Sequence, residues 1–508
     1  MTPSSLLVTV PVLAPVLGAA GYALFGWRGP TRWLGTVCAG GMLAAGIGLA
    51  TLVTGSGPHT SLGGLLRVDA LSAYMLIVIG VIALLATAAS PAYLAAEIRA
   101  GPATARTAYR HSLLVQTFLA AMATAVLAAN LGTLWVAVEA TTIATAFLVG
   151  QQRTRACVEA AWKYVLICSV GIALALLGAI LLNYASAHTP APAGLDWVRL
   201  AAGADGLDPG VTRIAVALLV IGFGTKVGLA PLHTWLPDAH SQAPAPVSAL
   251  MSGVLLAVAF YAILRVKVIA DAALGDAFVR HLLLVMALAT LAVAATLLLA
   301  QRDYKRMLAY HSMEHMGLLA LGTAAGSRLA LAAVLLHILG HGLAKAVLFL
   351  GAGRIAQLTG SRLVADVRGL AVREPVLAGG VGLGVLALLG FPPFSLFASE
   401  LGIFRAGFAT ELGWATALAL VFVLVITAAL FTHAGHMLLG DPGPRAAARP
   451  RPQPWPGRPG AAAAPTRTPA GTTVPLGAGL AACAVLGITT GPLQQVLYQA
   501  ADILQGTP

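Results

Sequence analysis

Lys226 stands inside an apolar run, GFGTKVGLAPLHTWLPDAHS from Gly222 to Ser241, that Pro231 breaks ahead of His233, Asp238 and His240. An ammonium in hydrocarbon costs several kcal/mol, from about 2.5 upward, so a lysine at membrane depth faces a wet interior and marks an ion path or relay. The break agrees with this. Backbone groups freed at membrane depth are tolerated only where protein or a water-filled cavity satisfies them, and interrupted helices are where transporters place their sites. Glu139 lies in a second apolar run, LGTLWVAVEATTIATAFLVG. A buried acid and amine compensate each other's charge, so changing their separation moves a proton between them. Burial offers several kcal/mol per group, more than the roughly 2.3 kcal/mol per 100 mV needed to carry one charge against a membrane potential. A static pair that fixes helix register is the plain alternative, and it ranks below the functional one at this depth.

A second set has a similar construction. Glu314 lies with His311 and His315 in MLAYHSMEHMGLLALG, and Glu400 follows the break at Pro392 and Pro393. Between them His337, His341 and Lys345 recur at spacings of four, one stripe of a helix. That stripe favours a hydrated track over three unrelated core residues. HSMEH formally matches the His-x-x-Glu-His zinc signature, but no third ligand follows and the flanks are apolar, so a His/Glu proton relay outranks a metal site. For His233, Asp238 and His240, interfacial hydrogen bonds that hold the broken helix outrank a metal. Glu400 can cap the helix after the break or release a proton, and the two readings stand level. Arg405, five residues on, either neutralises Glu400 or faces lipid headgroups.

These residues need elements to hold them, and composition says which. With 58% hydrophobic and only 9% charged residues over 508 positions, and a mean hydropathy of +0.87, the chain cannot hide its apolar surface in one soluble core. Windows of about 20 apolar residues predict an all-α polytopic membrane protein with about 14 transmembrane helices, starting near residues 5, 33, 69, 112, 131, 163, 211, 244, 279, 308, 329, 374, 412 and 474. The first is read as retained rather than cleaved. Residues 1–111 form three N-terminal helices, 112–266 and 279–436 two five-helix units with broken helices at matching places, 437–473 a linker rich in Pro and Arg, and 474–508 the last helix. Paired halves of this kind are expected to be inverted repeats.

The net charge of +12 does not indicate nucleic acid. When loops alternate sides, 20 of the 30 Lys and Arg fall on one side, while Lys226, Lys345 and Arg405 fall within spans. The positive-inside rule then places both termini outside the cytoplasmic membrane of a bacterium. Arg445, Arg449, Arg451, Arg458 and Arg467 belong to the linker, where a solvated tether outranks contact with anionic lipid. Cys38, Cys157, Cys168 and Cys483 are scattered without metal-ligand spacing, so no cofactor is expected in this chain and any redox chemistry sits in partners.

The segments HTWLPDAH (His233 to His240), DYKRMLAYHSMEHMG (Asp303 to Gly317), HILGHGLAKAVLFLGAG (His337 to Gly353) and GFPPFSLFASE (Gly390 to Glu400) together resemble the antiporter-like proton-channel subunits of complex I and its relatives. SQAPAPVSALMSGVL, the EHMG tetrad and PPFSLFASE are most similar to the F subunit of hydrogenase-4, of the group 4 energy-converting NiFe hydrogenases, with the M-type subunit of NADH-quinone oxidoreductase next and Mrp-type cation/proton antiporter subunits a further alternative. The resemblance implies a proton-translocating membrane subunit, with sodium as the alternative ion. Its partners would be other membrane-arm subunits and soluble hydrogenase or NADH-dehydrogenase-like subunits that hold the Ni-Fe and Fe-S centres or quinone. It also implies roles: Glu139 as the acid of the fifth helix, Lys226 as the lysine of the broken seventh, Lys345 as that of the eleventh, and Glu400 as the terminal acid. The eighth-helix lysine of the M-type subunit falls at Ala257, so water, or His311 and His315, must fill that gap. A non-conducting scaffold for soluble redox subunits is the alternative of another class, and an independent solute permease is weaker because no substrate cluster stands out.

Overall fold

The computed structural model describes residues 3–441 and 468–506. The linker arginines Arg445, Arg449, Arg451, Arg458 and Arg467 lie outside the described residues. The protein is a multi-pass helical membrane protein, and 12 described helices are long and apolar enough to cross a bilayer. Two further predicted positions are filled by helices that fail this test for opposite reasons. Tyr304–Ala325 is rich in polar residues, and the other is split into Pro375–Leu388 and Ser395–Phe408. Beyond the helices there is a two-stranded antiparallel hairpin, His59–Ser61 with Leu66–Val68.

Sequence sets the helix ends where capping residues stand. Asp69, Asn130, Thr154, Asp208, Asp303 and Ser327 each accept from a backbone N–H of the first turn that follows, satisfying donors that a helix leaves free. The helix expected near residue 163 begins at Arg155, because Thr154 caps it there and its charged first turns project outward, Lys163 meeting Glu159 at 2.7 Å.

Burial separates a centre from a rim. The apolar windows of Ala245–Leu274 and Arg328–Thr359 are 100% buried, against 33% for Ser4–Phe25 and 22% for Ala470–Ile488. A helix shielded on every side is a core helix. Helix Arg328–Thr359 carries His337, His341 and Lys345, and its neighbour Tyr304–Ala325 carries His311, Glu314 and His315. The polar residues of the second half therefore lie at the interior of the bundle, away from lipid.

Both proline breaks are present. Pro209–Val227 ends where Gly228 turns left-handed at φ 85°, and the chain resumes as Trp235–Gln242. The groups freed there are met by side chains: the Trp235 indole donates to the Thr225 carbonyl at 2.8 Å, and Ala230 N–H donates to Thr290 Oγ1 at 2.9 Å. The second break, between Leu388 and Ser395, is held from outside by the last membrane helix. A Cβ on Gly487 would stand 2.0 Å from the Pro393 carbonyl oxygen and 2.5 Å from the Phe394 carbonyl carbon. Gly487→Ala is therefore expected to lower stability by about 1–3 kcal/mol, seen as a lower melting temperature in detergent; an unchanged melt would show that the two segments give way freely.

Candidate proton-relay site

The first centre assembles around Lys226, which is fully buried. Its Nζ donates to Thr142 Oγ1 and to the Tyr164 hydroxyl, both at 2.6 Å. Thr142 Oγ1 in turn donates to Glu139 Oε2 at 3.2 Å, one turn away on helix Leu131–Val149. The acid and the amine are thus joined through a hydroxyl, with no ion pair within 4 Å among the described residues. Lys226 reaches this position because helix Pro209–Val227 runs close to Arg155–Ala187. At Gly222 a Cβ would lie 2.6 Å from both the Ala175 nitrogen and the Gly171 oxygen, and glycines permit such approach between membrane helices. Tyr164 is fixed edge-on against Trp235 at 5.0 Å. One indole therefore closes the helix break and braces the partner of Lys226.

The segment after the break runs toward the second half. Asp238 bridges Lys163 at 3.1 Å and Arg306 at 2.8 Å, tying three helices together at the bundle end. His233 is half-buried, and burial holds its imidazole below the ordinary histidine range. His240 is fully buried, stacked on Phe349 at 5.1 Å, with no hydrogen-bond partner for either ring nitrogen among the described residues. Beside this segment, buried Lys305 donates to the Ala243 carbonyl at 2.6 Å. By sequence Lys305 belongs only to the basic loop side; nothing in its spacing reveals that it turns inward.

The second centre gathers residues from three helices. His315 Nδ1 lies 2.9 Å from His337 Nε2, and His337 Nδ1 lies 3.0 Å from Ser399 Oγ. His315 also lies against His311 and His341, with ring centroids at 4.8 and 4.9 Å. His311 Nδ1 is 3.0 Å from Glu314 Oε2, an ion-pair distance out of hydrogen-bond alignment, and neither atom has a hydrogen bond among the described residues. Lys345, fully buried, donates to the Leu308 carbonyl at 2.6 Å. Glu400 comes within 4.8 Å of the ligand atoms of His315 and His337. It sits in the second turn of Ser395–Phe408 and caps nothing, because the helix begins five residues earlier with Phe394 in the cap position. Arg405 is exposed and forms no ion pair with Glu400 among the described residues, because it turns to the outer face of the same helix. Where the eighth-helix lysine would stand, Ala257 is buried. One turn earlier on the same helix a wide turn, Met251–Leu255, presents Ser252 to Ser312 at 2.9 Å, a hydroxyl contact beside His311.

Residues 128–427, more than half of the chain, match the family described as NADH:quinone oxidoreductase/Mrp antiporter, transmembrane. The chain belongs to this family. A relative from Methylacidiphilum infernorum, the hydrogenase-4 component F homolog, is 38% identical over 383 residues, which are 75% of this chain and 80% of the relative. The F(420)H(2) dehydrogenase subunit N of Methanosarcina mazei is 30% identical over 79% of this chain and 80% of its own length. Among solved structures, a chain of the Mrp complex from Dietzia sp. DQ12-45-1b superposes with a TM-score of 0.86 at 22% identity, covering 99% of this chain and 98% of that one. The fold is that of the antiporter-like membrane subunits, and the relatives are named as components of multisubunit membrane complexes. Within this antiporter-like family, sequence reasoning found the charged residues but missed Thr142, Tyr164, Ser252, Ser312 and Ser399. Only the i, i+3 spacing of Glu139 and Thr142 carried a signal, because hydroxyls on apolar helices are common.

Proposed function

We propose that this chain is the proton-translocating subunit of a redox-driven complex of the group 4 hydrogenase type, embedded in a bacterial cytoplasmic membrane with both termini outside. The reading is supported above all by Lys226, a fully buried lysine held by Thr142 and Tyr164 and linked through Thr142 to Glu139. An ammonium without a carboxylate in direct contact is incompletely compensated, so small helix movements that bring Glu139 closer or send it away change which group holds the proton. Pairs this strongly coupled titrate together. The route continues past His240 to Lys345, Glu314 and the histidines His311, His315, His337 and His341, and reaches the outside beyond Glu400. Hydrogen, electrons and the Ni-Fe and Fe-S centres or quinone belong to partner subunits, whose movement shifts the helices. The similarity to a hydrogenase-4 component F homolog over 75% of the chain favours hydrogenase-type partners over NADH-dehydrogenase-like ones.

Thr142→Val tests the link itself. Valine keeps the shape but removes the hydroxyl, and hydrogen bonds to charged groups are worth about 1.5–3 kcal/mol, so redox-driven proton uptake into inverted vesicles should fall about 10- to 100-fold while the complex still assembles. Unchanged uptake would remove the relay. Dissociation of the complex would favour a non-conducting scaffold instead.

A further inference from the structure

We propose that His311, Glu314 and His315 form a binding site for a first-row divalent transition ion of the zinc class, oriented by His337 and Ser399. The inference goes beyond proton transfer and does not depend on it. HSMEH has apolar flanks and no third ligand downstream, but Glu314 within the motif can complete the set. His311, Glu314 and His315, at i, i+3 and i+4, project from one face of helix Tyr304–Ala325, and one ligand atom from each lies within 4.8 Å of the other two. Zinc–nitrogen and zinc–oxygen bonds of about 2.0–2.2 Å place two ligands on one ion about 3.3 Å apart, so modest side-chain rotation closes the set.

A second observation points to a ligand. His311 Nδ1 and Nε2, Glu314 Oε2 and His315 Nε2 are all buried without a hydrogen-bond partner among the described residues. Buried polar atoms are normally satisfied, and each of the three residues that bring one ligand atom within 4.8 Å of the others contributes such an atom. The surrounding shell is also of the required kind. Histidines that bind metal through one nitrogen are held through the other; His315 Nδ1 is engaged by His337 Nε2, and His337 Nδ1 by Ser399 Oγ. Two carboxylates, Glu314 and Glu400, balance a double positive charge inside the bundle; Lys345 opposes it from helix Arg328–Thr359, its ammonium drawn to the Leu308 carbonyl. Two imidazoles and one carboxylate suit zinc, cobalt or nickel rather than magnesium or calcium, which prefer oxygen cages.

The test uses the full chain purified in detergent without a polyhistidine tag, titrated with cobalt(II) chloride alone and read by visible absorption and metal analysis. Wild type is expected to take up one cobalt per chain with the intense absorption of a tetrahedral site. Glu314→Gln and His315→Ala should each abolish that band, His337→Ala should weaken binding about 10- to 100-fold, and exposed His281→Ala should leave it intact. Every variant is judged only as a monodisperse species, and Glu314→Gln, nearly isosteric, serves if His315→Ala fails to fold. Absence of the band in wild type, or its persistence in Glu314→Gln, would overturn the assignment. Because no ion movement is measured, loss of proton transport in other experiments cannot be mistaken for loss of this site.

Discussion

Lys226→Ala is expected to reduce redox-driven proton uptake into inverted vesicles at least about 100-fold while the chain still inserts and assembles. The magnitude follows from two short hydrogen bonds to an ammonium, each worth about 1.5–3 kcal/mol, and from the tenfold change in rate that each 1.4 kcal/mol brings. Alanine leaves Thr142, Tyr164 and Glu139 in place but gives them no amine to exchange a proton with. Assembly is expected to survive because the Trp235 indole and the Thr290 hydroxyl hold the helix break beside the lysine without using its amine. Uptake at the wild-type rate would show that protons pass elsewhere. Lys226→Arg is a sharper control: a guanidinium keeps the charge but does not release its proton, so the variant should assemble and remain inactive.

Asp69→Ala carries the largest expected loss of stability, about 3–5 kcal/mol. Asp69 caps helix Ala70–Ala100 and meets Arg265 at 2.7 Å, both fully buried. Arg265 also donates to Ser72 Oγ and the Tyr261 hydroxyl, each at 3.0 Å, and lies 4.0 Å over the Trp197 ring. Removing the carboxylate leaves a buried guanidinium without its counter-charge, and thermal unfolding in detergent should report this as a marked fall in melting temperature. Asp69→Ala with Arg265→Met should recover part of the loss, since an apolar pair avoids the orphaned charge. Burial pushes the Asp69 carboxyl up, but Arg265 and two bonds from Ser72 outweigh it and hold the group below the usual carboxylate range. A lowered native value means the contribution is present above the ordinary carboxylate range near pH 4 and is lost as pH falls through the native value. Melting temperature should therefore not report this pair between pH 6 and 8, and a loss of the Asp69 contribution within that window would contradict the pairing.

Much of the architecture was legible because membrane solvation is demanding. Runs near 20 apolar residues had to be helices, and Pro231 and Pro392–Pro393 marked the breaks, whereas Pro11, Pro15, Pro91 and Pro475 stand inside continuous helices. Lys226, Glu314 and Lys345 stood out because charge at membrane depth is costly, and the alignment of His337, His341 and Lys345 in one stripe followed from helical period. Glu400 was misjudged as a possible cap because its sequence distance from Pro393 looked short, whereas the helix starts at Ser395 and the acid falls in the second turn. Lys305 gave no warning, because a lysine at a helix start is normally solvated, whereas here it turns inward to the carbonyl of Ala243.

The residues by themselves determined the class of molecule, where its helices break, and which side chains are too polar for their depth, since each of those depends on local composition and period. The tertiary structure alone decided who meets whom: Thr142 with Lys226 across 84 positions, His315 with His337 across 22, Arg265 with Asp69 across 196. Helical period tells which face a side chain occupies, but not which neighbouring helix covers that face. That choice is made by close approaches such as Gly222 against Gly171 and Gly487 against Pro393, where the absence of a side chain lets backbones meet and so sets the distances between the groups that do the chemistry.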